Sequence, residues 1–308
     1  MLKTLIRNQE NAPAYGFSKR HALAQYSVTG CFGRTFYASE HEQLKTVLEL
    51  CGEVDNAFVA RAAIYSRTVG YMKDMPALLC AYLASRDAKL HEAVFARVID
   101  SAKMLRTYVQ IIRSGMTGRR SLGSAPKRLV RDWLALHGED VLFRSSAGRH
   151  PSLGDVLKMV HPRPADLKRE AFYGYMLGRP HDEGALPELV KQFEAFKTGE
   201  SLDLPELPLP LLTALPMSRK DWKTAALQAS WQTLRMNLNT FARHGVFEDG
   251  NVRYAIASKL RNPQEIAKSR VFPYQLLAAW EACGERVPYE VREALSDAIE
   301  LALANVPS

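Results

Sequence analysis

The stretch AFVARAAIYSRTVGY (57–71) places its apolar residues at intervals of three and four, which is the spacing of one face of an α-helix. The same spacing recurs in PALLCAYLASR (76–86), HEAVFARVIDSAKML (91–105), PKRLVRDWLAL (126–136), PADLKREAFYGYML (164–177), QLLAAWEAC (275–283) and PYEVREALSDAIELAL (288–303). Alternating β-branched runs are rare, and GRTFYA (33–38) is the one short segment that favours a strand. The sequence therefore predicts an all-α protein.

The predicted helices are short, and turns rich in Gly, Pro and Ser join them. Two of them begin at sequences typical of a capping box, Ser152 to Asp155 and Ser218 to Asp221, with Asp in the usual place of Glu. Short helices with short turns favour antiparallel pairs stacked as in HEAT or armadillo arrays, although no repeat period is visible in the sequence. The Pro- and Leu-rich stretch TGESLDLPELPLP (198–210) is typical of an extended connector and predicts an internal boundary.

Positive charge is concentrated in one part of the chain. The 308 residues carry 41 Lys and Arg against 33 Asp and Glu, a formal net charge of +8. Residues 101–169 hold 14 basic and 5 acidic residues, a net charge of +9, so the remainder is close to neutral. Such a concentration favours a polyanionic partner, and nucleic acid is the most common one.

The basic stretch GMTGRRSLGSAPKRL (115–129) has no apolar periodicity and predicts an exposed loop that runs into a helix. Backbone N–H groups at the start of that helix would bind phosphate together with Arg119, Arg120, Lys127 and Arg128. The alternative is a solvated loop whose charges only keep the protein soluble. Because the whole charge surplus lies in this part of the chain, we favour binding.

Several function classes lack a signal. No window has the ~20 uninterrupted apolar residues of a membrane span, and the first residues have no apolar core of the secretory type. The four cysteines lie far apart without a CxxC pair, which favours a reducing cytoplasm. The sequence contains no HExxH, GxSxG, Walker or GxGxxG motif. We therefore expect a non-catalytic protein without a cofactor.

Five segments together resemble the TROVE module of the Ro autoantigen family. They are GCFGRTFYASE (30–40), RLVRDWL (128–134), SLGDVLKMVHPRP (152–164), WQTLRMNLNTFARHGVF (231–247) and KSRVFPYQLLAAW (268–280). Each motif alone is weak, and their order and spacing carry the resemblance, which extends over about residues 15–305. The resemblance implies one module, residues 1–308, of HEAT-like helices closed into a ring.

The resemblance also implies a function in RNA quality control and decay. Proteins of this family bind a small structured Y RNA on the outer surface of the ring, and single-stranded 3′ ends of misfolded RNA enter a positively charged central hole. The Y RNA tethers a partner exoribonuclease, polynucleotide phosphorylase. The family normally continues into a von Willebrand A-like domain with a DxSxS metal site. This sequence contains no DxSxS, so we expect either a truncated module or a form without that domain, and no divalent metal site.

Carried over to this sequence, the family's Y RNA histidine falls on His161 and a basic position falls on Arg144. A second basic position falls on Gly148, where the adjacent Arg149 is the expected substitute. At a helix end beside basic residues, His161 could donate to phosphate or to a base, or instead cap the carbonyls of its own helix. The outer RNA surface is predicted to comprise Arg119, Arg120, Lys127, Arg128, Arg131, Arg144, Arg149, Lys158, His161 and Arg163, and the inner wall Arg235, Asn237, Asn239 and Arg243.

Two other function classes stay open at this point. A HEAT-like helical DNA glycosylase also presents a basic concave face, but it requires a carboxylate and aromatic residues in that groove. A helical scaffold for an acidic protein would use the same positive charge without binding RNA. Base release from alkylated DNA would identify the first, and indifference to competing RNA the second.

Overall fold

The computed structural model describes residues 5–7, 11, 13–30, 40–148 and 151–306. The chain divides into two compact units, Met1–Pro187 and Glu188–Ser308. The first unit holds two short strands and ten helices among its described residues: β1 (Leu5–Arg7), β2 (Pro13–Tyr15), α1 (Lys19–Thr29), α2 (Glu40–Gly52), α3 (Asn56–Thr68), α4 (Asp74–Leu83), α5 (Ala88–Val98), α6 (Ala102–Arg113), α7 (Ser124–Leu136), α8 (Glu139–Arg144), α9 (Leu153–Val160) and α10 (Leu167–Leu177).

The helices of the first unit stack in two layers. α1, α3, α5 and α7 contact one another in succession, and α2, α4 and α6 form a second row against them. α4 is packed against α1, α2, α3, α5 and α6, and every residue from Met75 to Leu83 is buried. An apolar sequence on all sides of one helix is typical of such a central position. The arrangement is that of stacked antiparallel helix pairs.

Side-chain contacts recur at a sequence separation of 33 to 36 residues in this unit. Arg20 pairs with Asp55 at a separation of 35, and Arg67 pairs with Asp100 at a separation of 33. The indole Nε1 of Trp133 donates to the carbonyl oxygen of Ile99, 34 residues earlier, at 2.7 Å. These bonds join each helix pair to the next. They give the repeat length that the sequence does not display as a motif.

Short polar side chains set the helix boundaries. The two predicted capping boxes are both present, with Ser152 and Asp155 at the start of α9 and Ser218 and Asp221 at the start of a helix in the second unit. The apolar stretch 91–105, predicted as one helix, is split because Ser101 accepts a hydrogen bond from the backbone N–H of Met104 and begins a new helix. Cap formation therefore overrides continuous apolar spacing at this point.

The second unit comprises nine further helices among the described residues. They are α11 (Glu188–Thr198), α12 (Leu209–Leu212), α13 (Arg219–Gln228), α14 (Trp231–Met236), α15 (Leu238–Arg243), α16 (Gly250–Leu260), α17 (Pro263–Ser269), α18 (Pro273–Glu281) and α19 (Tyr289–Leu301), with 3₁₀ turns at Val246–Glu248 and Ala302–Asn305. α16 and α19 pack against each other, and α19 also contacts α17 and α18. The Nε1 of Trp231 donates to the carbonyl oxygen of Leu260 at 3.1 Å, which fixes the end of α16.

The predicted fold class is confirmed, since helices make up nearly all regular structure of the described residues. The predicted strand at 33–38 lies outside the described residues. The strands that do occur pair in antiparallel fashion, with Ile6 opposite Ala14, and the sequence analysis missed them. The connector 198–210 lies inside the second unit. No helix of the described residues is both long enough and apolar enough to cross a membrane.

Candidate nucleic-acid interface

Three depressions in the first unit adjoin one another. The first, of about 610 Å³, is lined by Arg113 and Lys158 among others. The second, of about 320 Å³, shares Lys158 with the first and also includes His161 and Arg179. The third, of about 520 Å³, shares His161 with the second and includes Arg131 and Arg163. We call this run the basic groove and define it by Arg113, Arg131, Lys158, His161, Arg163 and Arg179.

Most cations of the basic groove form no ion pair with a described carboxylate. Lys158, Arg163 and Arg179 are exposed, and they form no ion pair with any other residue that the structure describes. Elsewhere in the same unit, cations such as Arg20 and Arg67 are paired with carboxylates. A surface of unpaired cations beside a concave shape is what a polyanion needs for binding.

His161 lies immediately after α9 in a left-handed backbone conformation, with φ 49° and ψ 63°. Its backbone N–H donates to the carbonyl oxygen of Leu157 at 2.9 Å, so the backbone caps the helix. Its ring is exposed and lines two of the three depressions. The alternative that the ring caps the helix carbonyls has no support among the described hydrogen bonds.

Arg131 and Arg169 tie α7 to the two helices on either side of His161, α9 and α10. The Nε of Arg131, on α7, donates to the carbonyl oxygen of Val160, the last residue of α9. Arg169, on α10, is buried, and it donates to the carbonyl oxygens of Leu134 at 3.1 Å and His137 at 2.9 Å. Arg169 also pairs with Glu139 at 2.6 Å, so its guanidinium serves the scaffold.

The predicted phosphate site at the start of α7 has a well-defined geometry. α7 begins at Ser124, and its cap residue Gly123 has a positive φ of 70° and provides no side chain to the first N–H groups. Arg119 lies beside Gly123 and donates through Nη1 to the carbonyl oxygen of Ala84 at 2.9 Å. Phosphate binding by Arg119 stays a prediction, and it requires donors of the guanidinium other than the one bonded to Ala84.

The other cations of the basic stretch 115–129 differ in the ion pairs and contacts that they form. Arg128 pairs with Glu92 at 3.0 Å and Asp132 at 3.7 Å, so its charge is partly neutralised. Lys127 forms no ion pair with a described residue. The side chain of Arg120 lies over the backbone of Gly115. These three residues lie around the start of α7 rather than among the residues that line the basic groove.

The positions around Gly148 contain a cation that the sequence analysis did not foresee. Gly148 has a φ of 127°, and a Cβ placed on it would lie 2.4 Å from Nη1 of Arg106. Arg106 comes from α6 and donates to the carbonyl oxygen of Ala147 at 2.8 Å. A guanidinium therefore occupies the space beside Gly148, while the expected substitute, Arg149, lies outside the described residues. Arg144 is exposed at the end of α8.

The four residues predicted for an inner wall lie in the second unit on α14, α15 and the residue between them. Arg235 is half-buried, and burial lowers the pKa of its guanidinium, which donates to the carbonyl oxygen of Gln275 at 2.8 Å. Asn237 donates to the carbonyl oxygen of Thr233 at 2.8 Å. Asn239 donates to the carbonyl oxygen of Ala282 at 2.7 Å, so its amide bridges to the end of α18. Arg243 is exposed, and its Nη2 donates a hydrogen bond to Oγ1 of Thr240 at 3.3 Å.

Sequence reasoning missed two members of the basic groove. Arg113 lies in the basic window but outside the predicted set, and Arg179 lies beyond the window. Arg179 reaches the groove because α10 ends at Gly178 in a left-handed turn, which brings the chain back towards α9. The concentration of charge in residues 101–169 could have added Arg113 to the predicted set. Arg179 could not be predicted from charge, because only the turn at the end of α10 brings it into the basic groove.

No family model matches this chain. It is 26% identical to the RNA-binding protein RO60 of Deinococcus radiodurans over 98% of this chain and 62% of that protein. The crystal structure of the Ro (Rsr) protein of Deinococcus radiodurans matches with a TM-score of 0.67 and 21% identity, over 94% of this chain and 65% of that chain.

The resemblance to the Ro family is confirmed. Both comparisons extend over nearly the whole chain, and each of them, by sequence and by fold, leads to a Ro protein of Deinococcus radiodurans. The chain spans about three fifths of the length of this curated Ro relative, at 62%. The solved Ro structure shares the fold of this chain, which agrees with the all-α class predicted from the sequence. The closure of the helices into a ring stays a prediction.

Proposed function

We propose that this chain is a non-catalytic RNA-binding protein that holds a small structured RNA in the basic groove of its first unit. The observation that carries the proposal is the run of Lys158, His161, Arg163 and Arg179 along adjoining depressions without ion-pair partners among the described residues. The relative from Deinococcus radiodurans, named as an RNA-binding protein, supports RNA as the polyanion. By resemblance to the Ro family, the structured RNA is a Y RNA.

Recognition in the groove combines phosphate contacts with donors for base edges. The ammonium of Lys158 and the guanidinium groups of Arg163 and Arg179 bind phosphate, the latter in two-pronged fashion. His161 can donate from a ring nitrogen to phosphate or to a base. Arg144 and Arg106 extend the positive surface towards Gly148. Phosphate contacts of this kind fix the position of the RNA and contribute little base specificity.

For the second unit we propose binding of single-stranded 3′ ends of misfolded RNA. Arg243 is the exposed cation of the predicted inner wall and would contact the backbone of the strand. Arg235, Asn237 and Asn239 use their donors on backbone carbonyls, so in this proposal they hold the wall in shape. The bound Y RNA would tether polynucleotide phosphorylase and direct RNA decay. Capture of the nuclease should therefore require intact RNA.

The test of groove binding is a titration with a Y-like RNA at several salt concentrations. Each phosphate contact releases counterions, so the logarithm of the binding constant should fall with the logarithm of salt by on the order of 0.7–0.9 per contact. Lys158→Ala should weaken binding and reduce this slope by about one contact. Lys268→Ala is the matched control, because it removes one exposed positive charge from α17 in the second unit. A salt-independent affinity, or equal loss in both variants, would refute the proposal.

A further inference from the structure

The second depression differs from the other two in its walls. Pro162 and Pro164 line it from the segment that follows α9, and Pro180 lines it from the segment that follows α10. Gly174 also lines it, on α10, and Tyr173 beside it is buried. A Cβ on Gly174 would lie 2.8 Å from the Cβ of His181, so this glycine lets the segment after α10 pack closely on the helix. The three prolines, with Leu157 and Leu177, give the slot the apolar part of its wall.

The size of this slot suits one planar ring system. Its volume of about 320 Å³ is at the small end of the ~300–1,000 Å³ range of ligand pockets. Lys158, His161 and Arg179, which also line it, are exposed to solvent. A single unpaired nucleobase could enter between the prolines while its phosphates stay at the cationic margin. Sequence-specific RNA recognition generally uses unpaired bases that are splayed out and hydrogen-bonded at their edges.

Glu170 is the one carboxylate among the described residues that line the slot. It is exposed on the first turn of α10 and forms no ion pair with another described residue. A carboxylate repels phosphate, so its presence among the cations of the groove weakens plain backbone binding. It would be favourable there only if it accepts hydrogen bonds from the ligand.

The chemistry of a carboxylate selects among the four bases. Guanine presents two adjacent donors, N1–H and the N2 amino group, which match the two oxygens of a carboxylate. Adenine and cytosine present an amino group beside an acceptor nitrogen, and uracil presents one N–H between two carbonyl oxygens. Only guanine can therefore donate two parallel hydrogen bonds to Glu170 through its Watson–Crick edge.

We infer that the slot between α9 and α10 accepts one unpaired guanine of the bound RNA, with the proline rings against the base and Glu170 at its Watson–Crick edge. This inference rests on the proposed RNA-binding function and adds base selection to it. Lys158 and Arg179 hold the flanking phosphates. The basic groove then reads one base, in addition to the shape and charge of the RNA.

The test uses four oligoribonucleotides of twelve uridines in which one central position is G, A, C or U. The guanine oligomer should bind the wild-type protein about tenfold more tightly than the uridine oligomer. Glu170→Gln should abolish this preference, because an amide offers one acceptor and one donor. Lys158→Ala should weaken all four oligomers by a similar factor and retain the preference.

Glu188→Gln is the matched control for Glu170→Gln. Glu188 is also an exposed carboxylate on the first turn of a helix, α11, and it lies outside the basic groove. Glu188→Gln should leave the preference for the guanine oligomer unchanged. This result would separate recognition of the base from the interaction of a carboxylate with a helix terminus. Equal affinity for the four oligomers, or no oligomer binding where Y-like RNA binds, overturns the inference and leaves the proposed function. Absence of binding to any RNA overturns both.

Discussion

Arg131 donates a hydrogen bond through Nε to the carbonyl oxygen of Val160, the residue that directly precedes His161. The bond ties α7 to the end of α9, where the last carbonyls have no partner within the helix. The position of the His161 ring therefore depends on a residue 30 positions earlier in the chain. Arg131 lines the same depression as His161, so it can also bind phosphate itself.

We expect Arg131→Lys and Arg131→Ala to differ in RNA binding more than in stability. Neither variant has the Nε donor, so each should lower the free energy of unfolding by about 1 kcal/mol. Lys keeps the positive charge, and RNA affinity should fall further in the Ala variant. Urea denaturation and RNA titration measure the two effects. Equal RNA affinity of the two variants would show that the charge of Arg131 does not contact RNA.

Replacement of His161 should separate backbone strain from RNA binding. A left-handed conformation costs a residue with a side chain roughly 1 kcal/mol more than it costs glycine. His161→Gly should therefore be more stable than His161→Ala by about 1 kcal/mol. Both variants should lose RNA affinity to the same extent, because both lack the ring. If His161→Gly bound RNA like the wild type, the ring would have no part in binding.

Gly148→Ala and Gly118→Ala form a matched pair at positive φ. Gly148 has a φ of 127° and Gly118 one of 88°, so a side chain strains the backbone at both positions. No atom lies within 4 Å of the Cβ position at Gly118, whereas Nη1 of Arg106 lies 2.4 Å from that at Gly148. We expect Gly148→Ala to weaken RNA binding because it displaces this guanidinium. Gly118→Ala should change only stability, as measured by thermal unfolding beside an RNA titration.

The sequence predicts the helices well because their signals are local. The capping boxes at Ser152 and Ser218 and the apolar spacing of 57–71 act within a few residues. The separations of 33 to 36 residues that join neighbouring helix pairs are not visible beforehand. They use different chemistry each time, an ion pair at Arg67 and an indole donor at Trp133.

The candidate site is harder to predict because charge alone does not distinguish anchors from ligands. Arg169 and Lys158 lie in the same basic window of the sequence. Arg169 is buried and donates to the carbonyl oxygen of Leu134 on α7, whereas Lys158 is exposed in the basic groove. Arg235 and Asn239 likewise use their donors on backbone carbonyls. Each of these assignments depends on which carbonyl lies nearby in the folded chain.

A buried histidine predicts how stability changes with pH. His91 lies 2% exposed, and its Nε2 is 2.8 Å from the hydroxyl of Tyr108. Burial, aided by the charge of Arg119, lowers its pKa from 6.5 to about 4, although Glu92 acts in the opposite direction. The unfolded chain therefore takes up a proton at this histidine at a higher pH than the folded protein does.

This difference should destabilise the protein in mild acid. The contribution of neutral His91 is fully present above pH 6.5 and is lost as the pH falls from 6.5 to about 4. Its size is at most about 3 kcal/mol, from the shift in pKa. The double variant His91→Leu with Tyr108→Phe removes the titrating group and leaves no buried hydroxyl without a partner. Its free energy of unfolding should fall less steeply between pH 6.5 and 4 than that of the wild type. The other carboxyl and imidazole groups titrate equally in both proteins, so the difference between the two curves reports His91 alone. Parallel curves would refute the assignment.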